Sequence, residues 1–263
     1  MSDFHRLTIA YDGGGYSGWQ RQPNAMTVQE RLEEALADLF GQRVVVVGAG
    51  RTDAGVHAEG QTAHLVPPRA LPPKALVHAT NHRLPSDIRV LAAHRMPEGF
   101  HAQRGALGKS YVYRLYRGRV APPTAAPFHL VVPLELDIAA MRTAMEALPG
   151  EHDFTAFALA GGSHSHAVRR LFAATLDGSL DPAGGRALSL RFIGEGFLRG
   201  MVRSLVGTLI EVGRGDRPAR DIARLLEPGH PRSEAGFTAD AHGLCLERVF
   251  YPPRWQPLDG YEA

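Results

Sequence analysis

The sequence has a single cysteine, so no internal disulfide can form. It also lacks an apolar run long enough to span a membrane, and its first residues contain no apolar signal core. We therefore expect an intracellular, cytoplasmic protein with no membrane contact. Cys245 lies in the apolar string Gly243-Leu244-Cys245-Leu246, which indicates a buried structural thiol.

The sequence has almost no excess of one charge sign, because its net charge is only +2. The charges are nevertheless unevenly distributed. Between residues 83 and 119 only Asp87 and Glu98 oppose a set of basic side chains, namely Arg83, Arg89, Arg95, Arg104, Lys109, Arg114, Arg117 and Arg119. Clustered basic residues favour a polyanionic partner. Charge alone fits a solvated arginine-rich surface equally well.

The first hundred residues show the hydrophobic patterns of six elements in the order β-α-β-β-α-β. The predicted ranges are a strand at 7–11, a helix after Thr27, strands at 44–47 and 61–66, a helix at 72–83, and a strand at 88–94. Thr27-Val28-Gln29-Glu30 forms a capping box and Gly41 ends the first helix.

The second half repeats this order with one extra helix. The predicted elements are a strand at 111–117, a helix at 137–148, strands at 168–176 and 187–193 around a turn at 181–185, a helix at 197–212, a short helix after Pro218, and a strand at 246–251. We predict an α+β protein of two ferredoxin-like halves, residues 1–100 and 101–263. Mixed, mainly antiparallel sheets would flank a central cleft.

A glycine-punctuated loop, Gly48 to His57, follows four consecutive valines and holds one acid, Asp53. Such a loop permits close approach of a ligand to the backbone and presents a polar group at the end of a strand. Asp53 is either a turn former or a catalytic carboxylate. The flanking Arg51 and His57 favour the catalytic interpretation.

Two other patterns indicate cofactor or metal sites only weakly. The string Gly13 to Gly18 matches a dinucleotide fingerprint, which would suit a nucleotide-dependent oxidoreductase, but no helix follows it directly. His152-Asp153 and His164-Ser165-His166 lack the partner spacing of a metal site. We expect neither a cofactor nor a metal.

The predicted helix at 197–212 is apolar on nearly every side, which indicates burial. Its only narrow polar stripe contains Arg199, Arg203 and Gly207. An arginine in that stripe either extends outward to solvent or pairs with a carboxylate. Asp53 is the carboxylate that we consider for Arg203.

A series of longer strings occurs in order between about residues 5 and 252. It comprises Tyr11-Asp12-Gly13, Gly18-Trp19-Gln20-Arg21-Gln22, Thr27-Val28-Gln29-Glu30, Ala49 to His57, Asn81, Leu84 to Ile88, Phe100-His101-Ala102, Tyr111-Val112-Tyr113, Asp153 to Phe157, Phe197 to Arg203, Gly213, and His242-Gly243-Leu244. Together these strings closely resemble the tRNA pseudouridine synthase A (TruA) family. The string Gly50 to His57 is the most specific of them.

The resemblance implies the pseudouridine synthase fold, a homodimer, no cofactor and no metal. It implies isomerisation of uridine in tRNA, at nucleotides 38, 39 and 40 of the anticodon stem-loop. Asp53 matches the family's nucleophilic aspartate, Arg203 the arginine that pairs with it, and Tyr111 the aromatic residue that contacts the base. Arg51 and His57 are expected to bind substrate. Whether Asp53 attacks the uracil ring or acts at C1′ stays open.

Two positions depart from the family pattern. Gln103 follows Ala102 where arginine is usual, with Arg104 one place later, and Glu195 stands where asparagine is common. Neither change touches Asp53 or its expected partners. A non-catalytic RNA-binding module of the same fold is the alternative function.

Overall fold

The computed structural model describes residues 4–133, 135–162, 166–178 and 187–263. The chain divides into two compact units, the first formed by Met1–Gly108 with Leu246–Ala263 and the second by Lys109–Cys245. Helices accompany a mostly antiparallel set of strands, so the predicted α+β class is confirmed. Nowhere in the described ranges is a helix both long and apolar enough to cross a membrane.

The first unit follows the predicted β-α-β-β-α-β order. Its elements are β1 (His5–Tyr11), α1 (Val28–Phe40), β2 (Val47–Gly48), β3 (His57–Leu65), α2 (Pro73–Asn81) and β4 (Ile88–Arg95). β1 pairs antiparallel with both β3 and β4, so it lies between them. The alternating burial of β1 places Leu7 and Ile9 in the core.

The ends of α1 follow from local sequence. Thr27 Oγ1 accepts a hydrogen bond from Glu30 N–H at 3.3 Å, which satisfies one of the free donors at the start of the helix. Gly41 ends the helix in the left-handed conformation, with φ of 72°. Leu32 and Leu36 are four residues apart, on one face of the helix, and both are fully buried.

The predicted strand at 44–47 is wrong for most of its length, because only Val47 belongs to β2. The backbone of Val46 is bound by side chains of α1 instead of a neighbouring strand. Val46 N–H donates to Glu33 Oε1 at 3.1 Å, and Val46 O accepts from Gln29 Nε2 at 2.9 Å. Val44 and Val46 are buried and Val45 is exposed, so the segment alternates like a strand without extending the ladder.

The remaining elements are β5 (Gly108–Arg117), β6 (Leu130–Val132), α3 (Ile138–Met145), β7 (Gly150–Asp153), β8 (Val168–Gly178), β9 (Ala187–Gly194), α4 (Met201–Arg214), α5 (Asp221–Leu225), β10 (Leu244–Phe250) and β11 (Asp259–Glu262). β9 pairs antiparallel with β5 and β8, and β8 pairs with β7. Short β6, β7 and β11 were not predicted. The predicted turn at 181–185 lies outside the described residues.

The fourth helix begins at Met201, four residues later than predicted. Gly200 precedes it in the left-handed conformation, with φ of 66°, which interrupts the helical path. A Cβ at Gly200 would lie 2.4 Å from Leu159 Cδ1, so the chain also needs glycine there for space. Phe197 therefore lies ahead of α4. Cys245 is buried, as expected.

Candidate active site

Asp53 lies in the loop between β2 and β3, and the start of this loop is held by β3. Ala49 N–H donates to Thr62 O at 2.7 Å, and Gln61 Nε2 donates to Gly50 O at 2.8 Å. Gln61 is fully buried, so its amide is a fixed support. The segment that leads into Asp53 therefore has little freedom to move.

The central part of the loop is held at two further points. Thr52 Oγ1 lies 2.9 Å from Tyr11 Oη at the end of β1. Val56 N–H donates to Asp53 O at 3.1 Å, which closes a tight turn around Asp53. The Asp53 residue is half-buried, whereas Thr52 is buried. A half-buried carboxylate in a held loop is accessible to a ligand and still oriented.

The glycine-rich segment at 13–18 lies directly against the Asp53 loop. Trp19 N–H donates to Thr52 O at 3.1 Å, and Gly55 N–H donates to Tyr16 O at 3.2 Å. The two loops are thus joined by backbone hydrogen bonds.

Glycine is required in this segment by close backbone approach. A Cβ at Gly13 would lie 2.0 Å from Val56 O, and one at Gly18 would lie 2.5 Å from Thr52 O. Gly18 also has a φ of 87°. The glycines of the dinucleotide-like string therefore serve packing against the Asp53 loop, and α1 begins only at Val28.

His57 is the first residue of β3 and is only 4% exposed. Its Nδ1 accepts a hydrogen bond from Gly13 N–H at 3.0 Å and lies 3.1 Å from Asp12 Oδ1. The same Asp12 oxygen accepts from Gly14 N–H at 2.9 Å. His57 therefore ties the start of the glycine-rich segment to β3.

Arg51, in contrast, is exposed at the edge of the same loop. Its Nε donates to Gln20 Oε1 at 3.3 Å, and Gln20 Nε2 donates to Gln29 Oε1 at 2.7 Å. A chain of side-chain amides thus connects Arg51 to α1. The guanidinium is oriented and remains accessible to an anion.

In the second unit, Tyr111 lies in β5 and is 7% exposed. Its ring centroid is 5.1 Å from that of Phe197, with an interplanar angle of 79°. This edge-to-face geometry is the one that aromatic pairs prefer. Phe197 is half-buried, so it is the more exposed member of the pair.

Arg203 is the third residue of α4 and is half-buried. Its Nε donates to Ala239 O at 2.7 Å, and Ala239 N–H donates back to Arg203 O at 3.1 Å. Ala239 belongs to residues 236–240, a segment that runs along α4 and that we call the strap. The strap therefore fixes the side chain of Arg203 through backbone atoms.

The strap approaches α4 more closely than a side chain would allow. Gly236 N–H donates to Thr208 Oγ1 at 2.9 Å, one turn further along the helix. A Cβ at Gly207 would lie 1.8 Å from Phe237 O. Gly207, part of the polar stripe noted in the sequence, is therefore the position at which the strap crosses the helix.

The far end of the strap reaches β5. Tyr113 Oη donates to Asp240 O at 2.7 Å, and Tyr113 is fully buried. Burial raises the pKa of the Tyr113 phenol, and the nearby Asp240 raises it further, whereas Arg203 opposes the shift. The phenol therefore stays protonated and keeps donating. Arg203 and the strand of Tyr111 are thus linked through the strap.

The two departures from the family pattern have local roles. Glu195 Oε1 accepts from Arg170 N–H at 3.2 Å, and Glu195 N–H donates to Arg170 O at 3.1 Å, which extends the β8–β9 pairing. The backbone N–H groups of Gln103 and Arg104 each donate to His101 Nδ1 at 3.2 Å. Arg104 itself is exposed.

Several arginines of the basic segment have partners within the first unit. Arg83 Nε lies 2.5 Å from Asp38 Oδ2, and Arg95 Nη1 lies 3.2 Å from Asp259 Oδ2. These two arginines are therefore part of local ion pairs. The prediction that the basic segment binds a polyanionic partner stays a prediction.

Of the two histidine-rich strings, His152-Asp153 and His166 lie in the described part of the chain. Asp153 Oδ1 accepts from Thr155 N–H at 2.8 Å, which begins a short helical turn. No group of three or more His, Cys, Asp or Glu side chains suited to a metal occurs among the described residues. His164 and Ser165 lie outside those residues.

Of the five predicted site residues, Arg51, Asp53 and His57 lie together in the first unit, and Tyr111 and Arg203 lie in the second. The pairing of Asp53 with Arg203 stays a prediction. Tyr11 and Trp19, which help to hold the site, occur in the strings of the family resemblance, whereas no sequence pattern indicated the supporting roles of Gln61 and Ala239.

Comparison with known proteins identifies the class. Residues 7–103 and 144–252 match the family described as "tRNA pseudouridine synthase". The tRNA pseudouridine synthase A of Syntrophotalea carbinolica is 46% identical over 249 residues, covering 95% of this chain and 96% of that protein. The protein of the same name from Myxococcus xanthus is 45% identical, covering 96% and 94%.

The chain belongs to the tRNA pseudouridine synthase family, because the family match and the relatives together span nearly its whole length. It is an isomerase that acts on uridine in tRNA. The resemblance seen in the sequence is thereby confirmed.

Proposed function

We propose that this isomerase converts uridine to pseudouridine at positions 38, 39 and 40 in the anticodon stem-loop of tRNA, with Asp53 as the nucleophile. Membership of the family supports the reaction class. The observation on which the assignment of Asp53 depends is its half-buried place in a loop held from β1, β3 and the glycine-rich segment.

The reaction breaks the bond between uracil N1 and ribose C1′ and forms a bond between C5 and C1′. The proton on C5 leaves and N1 gains one, so no group outside the nucleotide is consumed. A carboxylate that bonds transiently to the ring or to C1′ would hold one fragment while the uracil rotates. Asp53 is the acid that the loop geometry prepares for this role.

Arg203 is proposed as the ion-pair partner of the Asp53 carboxylate. What supports this role is the orientation of its side chain, because Nε is bound to Ala239 O at 2.7 Å. A guanidinium is planar, so a bond at Nε also sets the direction of its two terminal nitrogens.

Tyr111 is proposed to contact the target uracil after that base has left its stack. Aromatic side chains are suitable platforms for an extruded base because every base has a flat π face. Arg51 is proposed to bind substrate phosphate, since it is exposed and oriented by Gln20. His57 was predicted to bind substrate; its 4% exposure favours an indirect contribution through Gly13.

We also propose that the enzyme acts as a homodimer in the cytoplasm, where tRNA is available. The chain mass is 28.5 kDa, so sedimentation equilibrium should give about twice that value for a dimer. A single species at the monomer mass under assay conditions would contradict the dimer.

The experiment is tritium release from 5-tritiated uridine in unmodified tRNA, because loss of the C5 proton is obligatory in the isomerisation. The wild type should release tritium and Asp53→Asn should not, with tRNA binding retained. Transcripts with cytidine at 38, 39 or 40 assign the release to each nucleotide. Equal release by both proteins would remove Asp53 from the mechanism. Binding without release by the wild type would favour the non-catalytic module.

A further inference from the structure

The chain uses lysine at only two positions, Lys74 and Lys109, although Lys and Arg together number 29. Arginine therefore fills 27 of the 29 positions (29 − 2). Lys74 is exposed on α2, with its Nζ 5.6 Å from the Tyr261 ring centroid. Lys109 is the second residue of β5 and is half-buried. Because Lys109 is half-buried and Lys74 is exposed, Lys74 can serve as the control for a site at Lys109.

Lys109 shares a face of β5 with Tyr111, because alternate residues of a strand point to the same side. It lies opposite Gly194 in the β5–β9 register. Gly194 has no side chain, and a Cβ there would lie 3.4 Å from Phe197 Cζ. The lysine is therefore on the side of the sheet that presents the Tyr111–Phe197 pair.

Burial lowers the pKa of the Lys109 ammonium from its ordinary value, and no neighbouring charge contributes to that shift. Within the described ranges, no hydrogen bond or ion pair involves its side chain. Enclosing a cation without an anion is unfavourable, and proteins compensate such charges with a partner or a ligand. Partial exposure leaves room for a ligand to supply the missing negative charge.

We propose that the Lys109 ammonium binds a phosphodiester oxygen of the tRNA strand whose uracil contacts Tyr111. This proposal rests on the proposed role of Tyr111. Two residues along a strand are separated by about 6.6 Å, a spacing that one nucleotide bridges between base and phosphate. A compact ammonium with three donors fits one phosphate oxygen at this depth, where the wide planar fork of arginine needs more room.

The first test compares Lys109→Met, Lys109→Arg and Lys74→Met in tRNA binding across a range of salt concentrations. Lys109→Met should weaken binding roughly tenfold and reduce the slope of log Kd against log salt by about one, because one phosphate contact is lost. Lys109→Arg should recover part of the slope. Lys74→Met should change neither the affinity for tRNA nor the slope. An unchanged slope in a folded Lys109→Met protein would overturn the proposal.

The second test needs no variant, because the wild type has only two lysines. Reductive methylation followed by mass spectrometry measures the reactivity of each. Bound tRNA should slow modification of Lys109 several-fold and leave Lys74 unchanged. Equal rates with and without tRNA would contradict the contact, and if Lys109 does not react in the free protein the salt slope decides.

These outcomes are separable from a failure of the proposed function. Neither the salt dependence of tRNA binding nor the protection of Lys109 from methylation requires turnover. Both tests can therefore support the phosphate contact even in a protein that releases no tritium. Conversely, the wild type could release tritium normally while Lys109→Met binds tRNA with the same salt dependence as the wild type. That result would support the proposed function and rule out only the phosphate contact of Lys109.

Discussion

Arg203 and Ala239 are joined by two hydrogen bonds, although 36 residues separate them. The side chain of Arg203 donates to the Ala239 carbonyl, and the Ala239 amide donates to the Arg203 carbonyl. Ala239 is fully buried, and the bond from the Arg203 side chain to it is partly buried. The guanidinium is therefore oriented in the free protein, which would lower the entropic cost of the proposed pairing with Asp53.

Replacing Arg203 with lysine should separate charge from orientation. Arg203→Lys retains a positive charge but loses the planar group that binds Ala239 O, so single-turnover tritium release should fall about 10- to 100-fold. Arg203→Ala should be less active still. Arg214→Lys, at the exposed last position of α4, is the matched control and should behave as wild type. Wild-type turnover in Arg203→Lys would show that charge alone is sufficient.

Gly207 should tolerate a methyl group less well than Gly213 in the same helix. A Cβ at Gly207 meets the Phe237 backbone carbonyl at 1.8 Å, whereas one at Gly213 meets the flexible Met141 side chain at 2.7 Å. Gly207→Ala should lower the free energy of unfolding by about 2–3 kcal/mol and Gly213→Ala by less than about 1.5 kcal/mol. The gain in helix propensity is common to both variants. Urea unfolding measures the difference, and equal stabilities would contradict the close crossing.

The glycine-rich segment should affect activity through the Asp53 loop. Gly18→Ala combines a left-handed φ of 87° with a Cβ 2.5 Å from Thr52 O, so it should cost about 1–3 kcal/mol and reduce tritium release. Gly15→Ala is the control, because a Cβ there meets nothing within 4 Å. Thermal unfolding and tritium release are measured on both variants. Equal activity in the two would show that the Asp53 loop does not depend on Gly18.

His64 should make the protein less stable in mild acid. Burial, followed by the proximity of His101 and Arg104, lowers the pKa of His64 to about 4. The unfolded chain, with a histidine pKa near 6.5, binds the proton first, so the stability contributed by neutral His64 is lost as pH falls from about 6.5 towards 4. The free energy of unfolding should drop by about 1–2 kcal/mol between pH 7 and pH 5 on this account.

The control for this pH effect is His64→Asn. The asparagine oxygen can replace Nδ1, which accepts a hydrogen bond from Ala102 N–H at 3.1 Å, but it does not titrate. Denaturant unfolding at both pH values should show a smaller pH dependence in the variant. The same dependence in both proteins would assign the effect to other groups.

Local sequence was sufficient for α1, whose start at Thr27 and end at Gly41 are set by capping and by a left-handed glycine. It was insufficient for Val44–Val47, because β-branched residues favour a strand but do not specify a partner. The backbone of Val46 is bound by Gln29 and Glu33, which the pattern of valines alone does not reveal.

The sequence by itself determined the order of elements in residues 5–95, the family and the residue types at Asp53, Tyr111 and Arg203, since periodicity, caps and motifs are local properties of a chain. Only the tertiary structure decided what holds those residues. Ala239 binds Arg203, and Gly13 binds His57, through contacts between segments that are distant in sequence. Such contacts arise when side-chain volumes and backbone donors meet in the folded core, and no local pattern records them.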